Sequence, residues 1–184
     1  MGMSAQDKML NVASRLGLTT LKDMQGTTRM VYDSQTTAAL THIFFKGASQ
    51  RAFPLSNVGA NGNQFQVNEA LLVEKIGFFI PLSETGVTYQ GLNGASVKFD
   101  LVIGNKTVIK DATVEFGGEQ AFYNDGATAS SVIDLEGVGI LIPPQVEYYV
   151  VAKGFGTGAR AAASVRLGCY LFGTGALLNF NTTI

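Results

Sequence analysis

The chain is poor in the residues from which active sites are usually built. Its 184 residues include one cysteine (Cys169), one histidine (His42) and no tryptophan. One cysteine excludes an intrachain disulfide. Zinc takes several Cys and His ligands, and one of each makes no set. Cys169 lies in the apolar run RLGCYLF, where a free Cys behaves as a small buried hydrophobe. A catalytic thiolate needs an imidazole or another activating charge beside it, and His42 is far away in sequence. A Ser-His-Asp site fares no better. His42 belongs to the strand-like LTHIFFKG, and no G-x-S-x-G elbow occurs.

Charge is also scarce. Charged residues make up 15% of the chain, against about 25% in an average soluble protein. Much of the surface is therefore neutral, as surfaces that meet another subunit often are. The net charge of −1 sets up no global field for nucleic acid or an anionic membrane. The distribution is uneven. Residues 1–51 hold six basic groups (Lys8, Arg15, Lys22, Arg29, Lys46, Arg51) against three acids (Asp7, Asp23, Asp33). That excess is too small to point to nucleic acid. No apolar run reaches the roughly 18 residues of a membrane-spanning helix. The opening MGMSAQ lacks the apolar core of a secretory signal, and Gln6 stands where a myristoylation motif wants Ser or Thr.

What is present is sheet. Hydrophobic residues make up 46% of the chain, and 22 glycines punctuate it. The exception comes first. In SAQDKMLNVASRLG, Met9, Val12 and Leu16 recur at helical spacing. Ser4 and Asp7 stand in capping-box positions, and Gly17 ends the pattern. So short a helix must dock on the body or on a neighbour. TTRMVYD and ALTHIFFKG then read as short strands. The irregular RAFPLSNVGANGNQFQVNE follows, long for a connection inside a compact domain. Residues 1–68 are accordingly expected to form an arm with a short helix and strands, and residues 69–184 a β-sandwich body with a short C-terminal tail.

In the body, ALLVEKIGFFIPL reads as a strand. SVKFDLVIG puts Val97, Phe99, Leu101 and Ile103 on one face and Lys98 and Asp100 on the other. Gly104-Asn105 then joins it to KTVIKDATVEF as a hairpin. VIDLEGVGILI, VEYYVVAKGF and ASVRLGCYLFGTG supply further strands. Pro143-Pro144 cannot donate to a ladder, so ILIPPQVEYYVVAKGF divides into two strands at that point. Strands without intervening helices favour a sandwich or barrel, and the count fits an all-β, jelly-roll-like antiparallel sandwich.

The remaining motifs have plain structural readings. GFGTG and GTG lie between strands and are followed by no helix, so they are β-turn glycines rather than a phosphate loop. Glu119, Asn124 and Asp125 could offer oxygens to a cation, but they match no EF-hand. Carboxylate pairs are formally available in Glu69 with Glu74, Asp134 with Glu136, and Glu115 with Glu119. Asp134 and Glu136 are expected on an outer strand face, with Ile133 and Leu135 inward. No catalytic residue, metal site or cofactor is assigned. Aromatic and apolar residues are the better candidates for function. Met9, Val12, Leu16, Phe44, Phe45, Phe53, Tyr148, Tyr149 and Phe180 are expected at subunit interfaces, where Tyr is enriched. Phe122, Tyr123, Asn124 and Asp125 form a candidate ligand loop.

The order of an arm, FFKGASQRAFPLSN, QFQVNEALLVEKIGFFIP, ILIPPQVEYYVVAKGF and SVRLGCYLFGTGALLN resembles structural proteins of tailed bacteriophage virions, in particular small jelly-roll capsid or capsid-cement proteins. The resemblance covers most of the chain without a diagnostic motif. It implies a non-enzymatic homo-oligomer, a trimer as the best guess. Such a protein would be assembled in the host cytoplasm and would contact other capsid proteins in the virion, its arm latching its neighbours. A carbohydrate- or receptor-binding sandwich is the alternative, motivated by the loop 117–130. An enzyme on the same scaffold would need a cleft with two convergent polar groups. Light scattering after size-exclusion chromatography is expected to give an oligomer mass; a monodisperse monomer at micromolar concentration contradicts it.

Overall fold

The structure is a computed structural model that describes residues 4–18, 24–36, 41–46, 53, 55–58, 62–79, 95–116, 130–135, 139–153 and 166–178. Helix α1 spans Ala5–Arg15, and both of its ends follow the sequence signals. The Asp7 amide donates to Ser4 Oγ at 3.2 Å and the Ser4 amide to Asp7 Oδ2 at 3.3 Å, a reciprocal capping box. At the other end Gly17 has φ +72°. The Leu18 amide reaches the Ala13 carbonyl at 2.8 Å and the Gly17 amide the Ser14 carbonyl at 3.2 Å, a Schellman motif.

The strands are β1 (Met24–Thr36), β2 (Thr41–Phe44), β3 (Glu69–Phe79), β4 (Ala95–Ile103), β5 (Lys106–Phe116), β6 (Ser130–Asp134), β7 (Ile140–Ile142), β8 (Tyr148–Lys153) and β9 (Arg166–Leu178). One sheet has the order β1-β9-β3-β6, with β7 also on β3; the other has the order β2-β8-β4-β5. All the pairings are antiparallel. Counted with β6 and β7 as one interrupted strand, the chain is a long ribbon of nested pairs: β4 with β5, β3 with β6/β7, β2 with β8 and β1 with β9. Winding that ribbon up places β9 beside β3 and β8 beside β4. This is a jelly roll of eight strands in two sheets.

The innermost pair is the hairpin expected at Gly104-Asn105, with Ile103 opposite Lys106 and Gly104 at φ +60°. The proline pair sits where the chain leaves β7 for β8 and crosses between sheets. The core lies between the sheets. Leu71, Val73, Ile76 and Phe78 of β3 and Cys169 and Leu171 of β9 meet Val97, Phe99 and Leu101 of β4 and Val150 and Ala152 of β8. The alternation expected along β4 is thus present.

Residues 24–36 and 41–44 depart from the expected arm. Strands β1 and β2 are one member of each sheet, and the segment that follows them is bonded to the body. The Leu55 carbonyl accepts from the Ser34 amide at 2.9 Å, and Asn57 bonds β1 at the Tyr32 amide (2.7 Å) and the Met30 carbonyl (2.8 Å). These contacts satisfy part of the free edge of β1, which would otherwise be a template for pairing. Within the long irregular stretch, residues 55–57 therefore form a strap over a sheet edge. Its polar Ser and Asn residues are what that edge needs.

β3 carries an extra residue. Val73 faces Gly173 and Lys75 faces Phe172, leaving Glu74 as a bulge. Before it the odd-numbered Leu71 and Val73 point into the core; after it the even-numbered Ile76 and Phe78 do. The strand on the other side breaks at the same level. β6 ends opposite Lys75, β7 starts opposite Val73, and the Leu135 amide donates to the Glu74 carbonyl at 2.6 Å. A Cβ at Gly173 would fall on the Leu72 carbonyl oxygen. Gly173→Ala is therefore expected to cost at least about 3 kcal/mol, the upper end of overpacking penalties. Urea unfolding measures it, and an unchanged midpoint contradicts this reading of the bulge.

Candidate functional site

The face of the β1-β9-β3-β6 sheet that points away from the core divides into two halves. The first lies under α1. Val12, Ala70, Leu72 and Ala176 are buried there, with Met9, Leu16, Met24, Leu141 and Leu178 packed around them, and Arg15 Nη1 holds the Gly139 carbonyl at 2.9 Å. The apolar stripe of α1 is thus spent on its own chain.

The second half has no such cover among the described residues. In-register neighbours share a face of a sheet, so Met30, Phe172 and Lys75 form one row and Tyr32, Tyr170, Gly77 and Val132 the next. The Tyr170 ring lies over Gly77 and the Phe79 ring over Gly168, where a Cβ would strike them. Phe79 meets Tyr32 edge-on at 6.3 Å and Tyr170 at 6.1 Å. Met30 and Val132 are 47% and 46% exposed, and the four rings are half-buried. Burial pushes the Tyr170 hydroxyl up from its ordinary value, with the neighbouring Cys169 adding to the shift. An aromatic patch with a polar tip is typical of contact surfaces. The sequence signal for it was the Phe and Tyr residues set against glycines across strands, which single-strand periodicity does not reveal.

At the opposite end of the core an arginine–aromatic stack ties the 62–69 segment to both sheets. The Arg29 guanidinium lies 4.6 Å over Phe65 and pairs with Glu69 at 3.1 Å. Phe65 stacks on Tyr148 at 5.1 Å, and Tyr148 meets Phe45 at 5.4 Å. Phe45 has φ +72°, a strained value for a bulky residue, and the buried Asp33 carboxylate holds its amide at 2.8 Å. That turn lets the consecutive Phe44 and Phe45 both point inward. Burial, chiefly, pushes the Tyr148 hydroxyl far up.

The expected interface residues consequently fall into groups. Val12, Phe44, Phe45 and Tyr148 are buried within the single chain, and Met9 and Leu16 pack under α1, so none of these offers a surface to another subunit. Strand alternation puts Tyr149 on the opposite face from Tyr148, with Lys46 Nζ 5.5 Å over its ring. Phe53 is 80% exposed. Phe180 and the loop residues Phe122, Tyr123, Asn124 and Asp125 lie outside the described residues, as do Glu119 and Glu136.

Of the candidate carboxylate pairs only Glu69 and Glu74 lie wholly within the described residues, and these two do not converge. Glu69 joins the Arg29 stack, while the bulge turns Glu74 to the outer face, where Lys8 Nζ pairs with it at 2.7 Å. Asp134 pairs with Lys75 at 3.7 Å. Among the described residues no three His, Cys, Asp or Glu side chains gather to hold a metal. His42 is buried beside Phe44. Cys169 is fully buried, and burial first, then the Asp33 carboxylate, pushes its thiol well up.

The strand order defines the chain as a jelly-roll sandwich with a short N-terminal helix. No family model and no curated protein matches the chain. Among solved structures it is similar to a chain in the three-dimensional structure of Cocksfoot mottle virus. The identity is 10% and the TM-score 0.40, over 88% of this chain and 100% of that one. The fold assignment rests on the strand order and not on this likeness.

Cys169 is expected to resist a thiol-specific reagent in the native protein and to react once unfolded; equal rates in both states contradict its burial. In the folded state Cys169 and Tyr148 keep their protons at pH values where the unfolded chain loses them. Their contribution is therefore complete below about pH 8.5 and declines as the ordinary Cys and then Tyr ranges are passed, near pH 8.5 and 10. Chemical denaturation from pH 7 upward measures this, and stability that rises across that window contradicts it.

Proposed function

We propose that this chain is a non-enzymatic structural protein of a virion, a shell or capsid-cement subunit that self-associates. The jelly roll serves viral shells and lectins alike, so the fold alone does not select a function. The observation that carries the reading is the uncovered half-face of Met30, Tyr32, Phe79, Val132, Tyr170 and Phe172. Exposed apolar patches of this kind, rimmed by polar groups, mark protein contacts. Among the described residues the rim carries the opposite charges of Lys75 and Asp134, so a second copy meets no uniform charge. The low charge of the chain and its resemblance to capsid and cement proteins of tailed bacteriophages support the same reading. A trimer within a capsid, assembled in the host cytoplasm, is the proposed state. With β1 and β2 inside the sheets, any latching of neighbours falls to segments outside them. The exposed Phe53 is available beside the strap.

Met30→Lys and Val132→Lys test this. Both positions are exposed, and surface changes there are expected to alter monomer stability by no more than about 0.5 kcal/mol. The double variant is expected to fall to monomer mass at concentrations where the parent is an oligomer. An unchanged oligomer mass overturns the assignment of this face.

A further inference from the structure

Between α1 and the uncovered aromatic half lies a cleft of about 450 Å³, within the roughly 300–1,000 Å³ range of small-molecule sites. Its principal side chains are Lys8 from the helix, Thr28 from β1, Glu74 and Lys75 at the bulge, and Phe172 and Thr174 from β9. Several of the chain's less ordinary features converge here. The bulge turns Glu74 onto the outer face, Gly173 admits the bulge, and the capped helix presents Lys8.

Glu74 is the central group. Its side chain is only 10% exposed. Lys8 Nζ reaches Oε1 at 2.7 Å, and Thr174 Oγ1 donates to the same oxygen at 3.4 Å. Among the described residues the other oxygen, Oε2, has no hydrogen-bond partner, and it is not sealed from the cleft. A carboxylate oxygen accepts two hydrogen bonds and an ammonium donates three. An acceptor on Glu74 and donors on Lys8 therefore stand side by side, already fixed by their own ion pair. The charges are balanced: Lys8 pairs with Glu74, and Lys75 with Asp134. Of the charged side chains lining the cleft two are cationic and one anionic, and Asp134, just outside it, offsets Lys75. The Phe172 ring supplies an apolar surface at the margin.

We infer that this cleft binds a neutral saccharide unit. Sugar hydroxyls both donate and accept, which matches a carboxylate oxygen beside an ammonium, and the C–H face of a sugar ring packs on an aromatic ring. The hydroxyls of Thr28 and Thr174 extend the polar floor. The binding site is distinct from the loop 117–130, and its polar centre of Lys8, Glu74 and Thr174 lies beside the proposed contact face, with which it shares Phe172 and Lys75.

The test is an amide NMR titration of the full chain with methyl glycosides of glucose, galactose, mannose and N-acetylglucosamine. Glucuronate and inorganic phosphate serve as charged controls. Saturable shifts in the millimolar range are expected for at least one neutral glycoside, centred on the amides of Lys8, Thr28, Glu74 and Thr174. Glu74→Gln is expected to weaken that binding about tenfold or more, in keeping with the loss of a charged hydrogen-bonding group. Thr174→Val, which keeps the shape and removes the hydroxyl, provides a second variant and is expected to weaken it several-fold. No saturable shift with any neutral glycoside overturns the inference. So do shifts centred elsewhere, stronger binding of the charged controls, or parent-like affinity in either folded variant. The oligomer mass of the same samples, read separately, distinguishes this outcome from a failure of the assembly reading.

Discussion

The extra residue at Glu74 changes which side chains of β3 face the core, and much of the outer surface follows from it. Without the bulge, the parity that buries Leu71 and Val73 would carry Ile76 and Phe78 outward. With it, both halves of the strand bury their apolar residues between the sheets. Above the bulge, Ala70 and Leu72 turn outward to receive α1. Below it, Gly77 and Phe79 turn outward and organise Tyr170 and Tyr32. The neighbouring strand divides into β6 and β7 at the same level. The cost of the bulge is met by Gly173, the residue type that lets β9 approach so closely.

This dependence explains what the sequence made legible and what it did not. The capping residues Ser4 and Asp7, the stop at Gly17, the Gly104-Asn105 turn and the proline break after Ile142 are local signals, and each appears in the structure where its chemistry places it. The alternation along β4 is local too. The bulge is not. ALLVEKIGFF reads as one nearly continuous apolar run, as a strand covered on both faces does, and nothing in the run itself marks a change of parity. Phe44 and Phe45 mislead in a related way. Adjacent aromatics on a regular strand point to opposite faces, but the positive φ at Phe45, held by Asp33 from another strand, sends both inward.

The same reasoning accounts for the misplaced arm. A long polar stretch after a short strand resembles a connection leaving the domain. Here its Ser and Asn side chains satisfy the backbone of β1, which is a long-range pairing and invisible to periodicity. Met9, Val12 and Leu16 were expected to serve a neighbour and are consumed by the chain's own sheet. That docking covers only half of the outer face, and the half that no described residue covers is where the aromatics lie. The candidate site is therefore a remainder of the fold, a surface defined by where the helix stops.

Hydroxyl-radical footprinting of the assembled and dissociated forms tests that claim most directly. Met30, Tyr32, Tyr170 and Phe172 are expected to lose oxidation strongly on assembly, while the exposed Leu10 on the far side of α1 keeps its reactivity. Equal oxidation of the four residues in both forms would show that subunits meet elsewhere and would contradict the account.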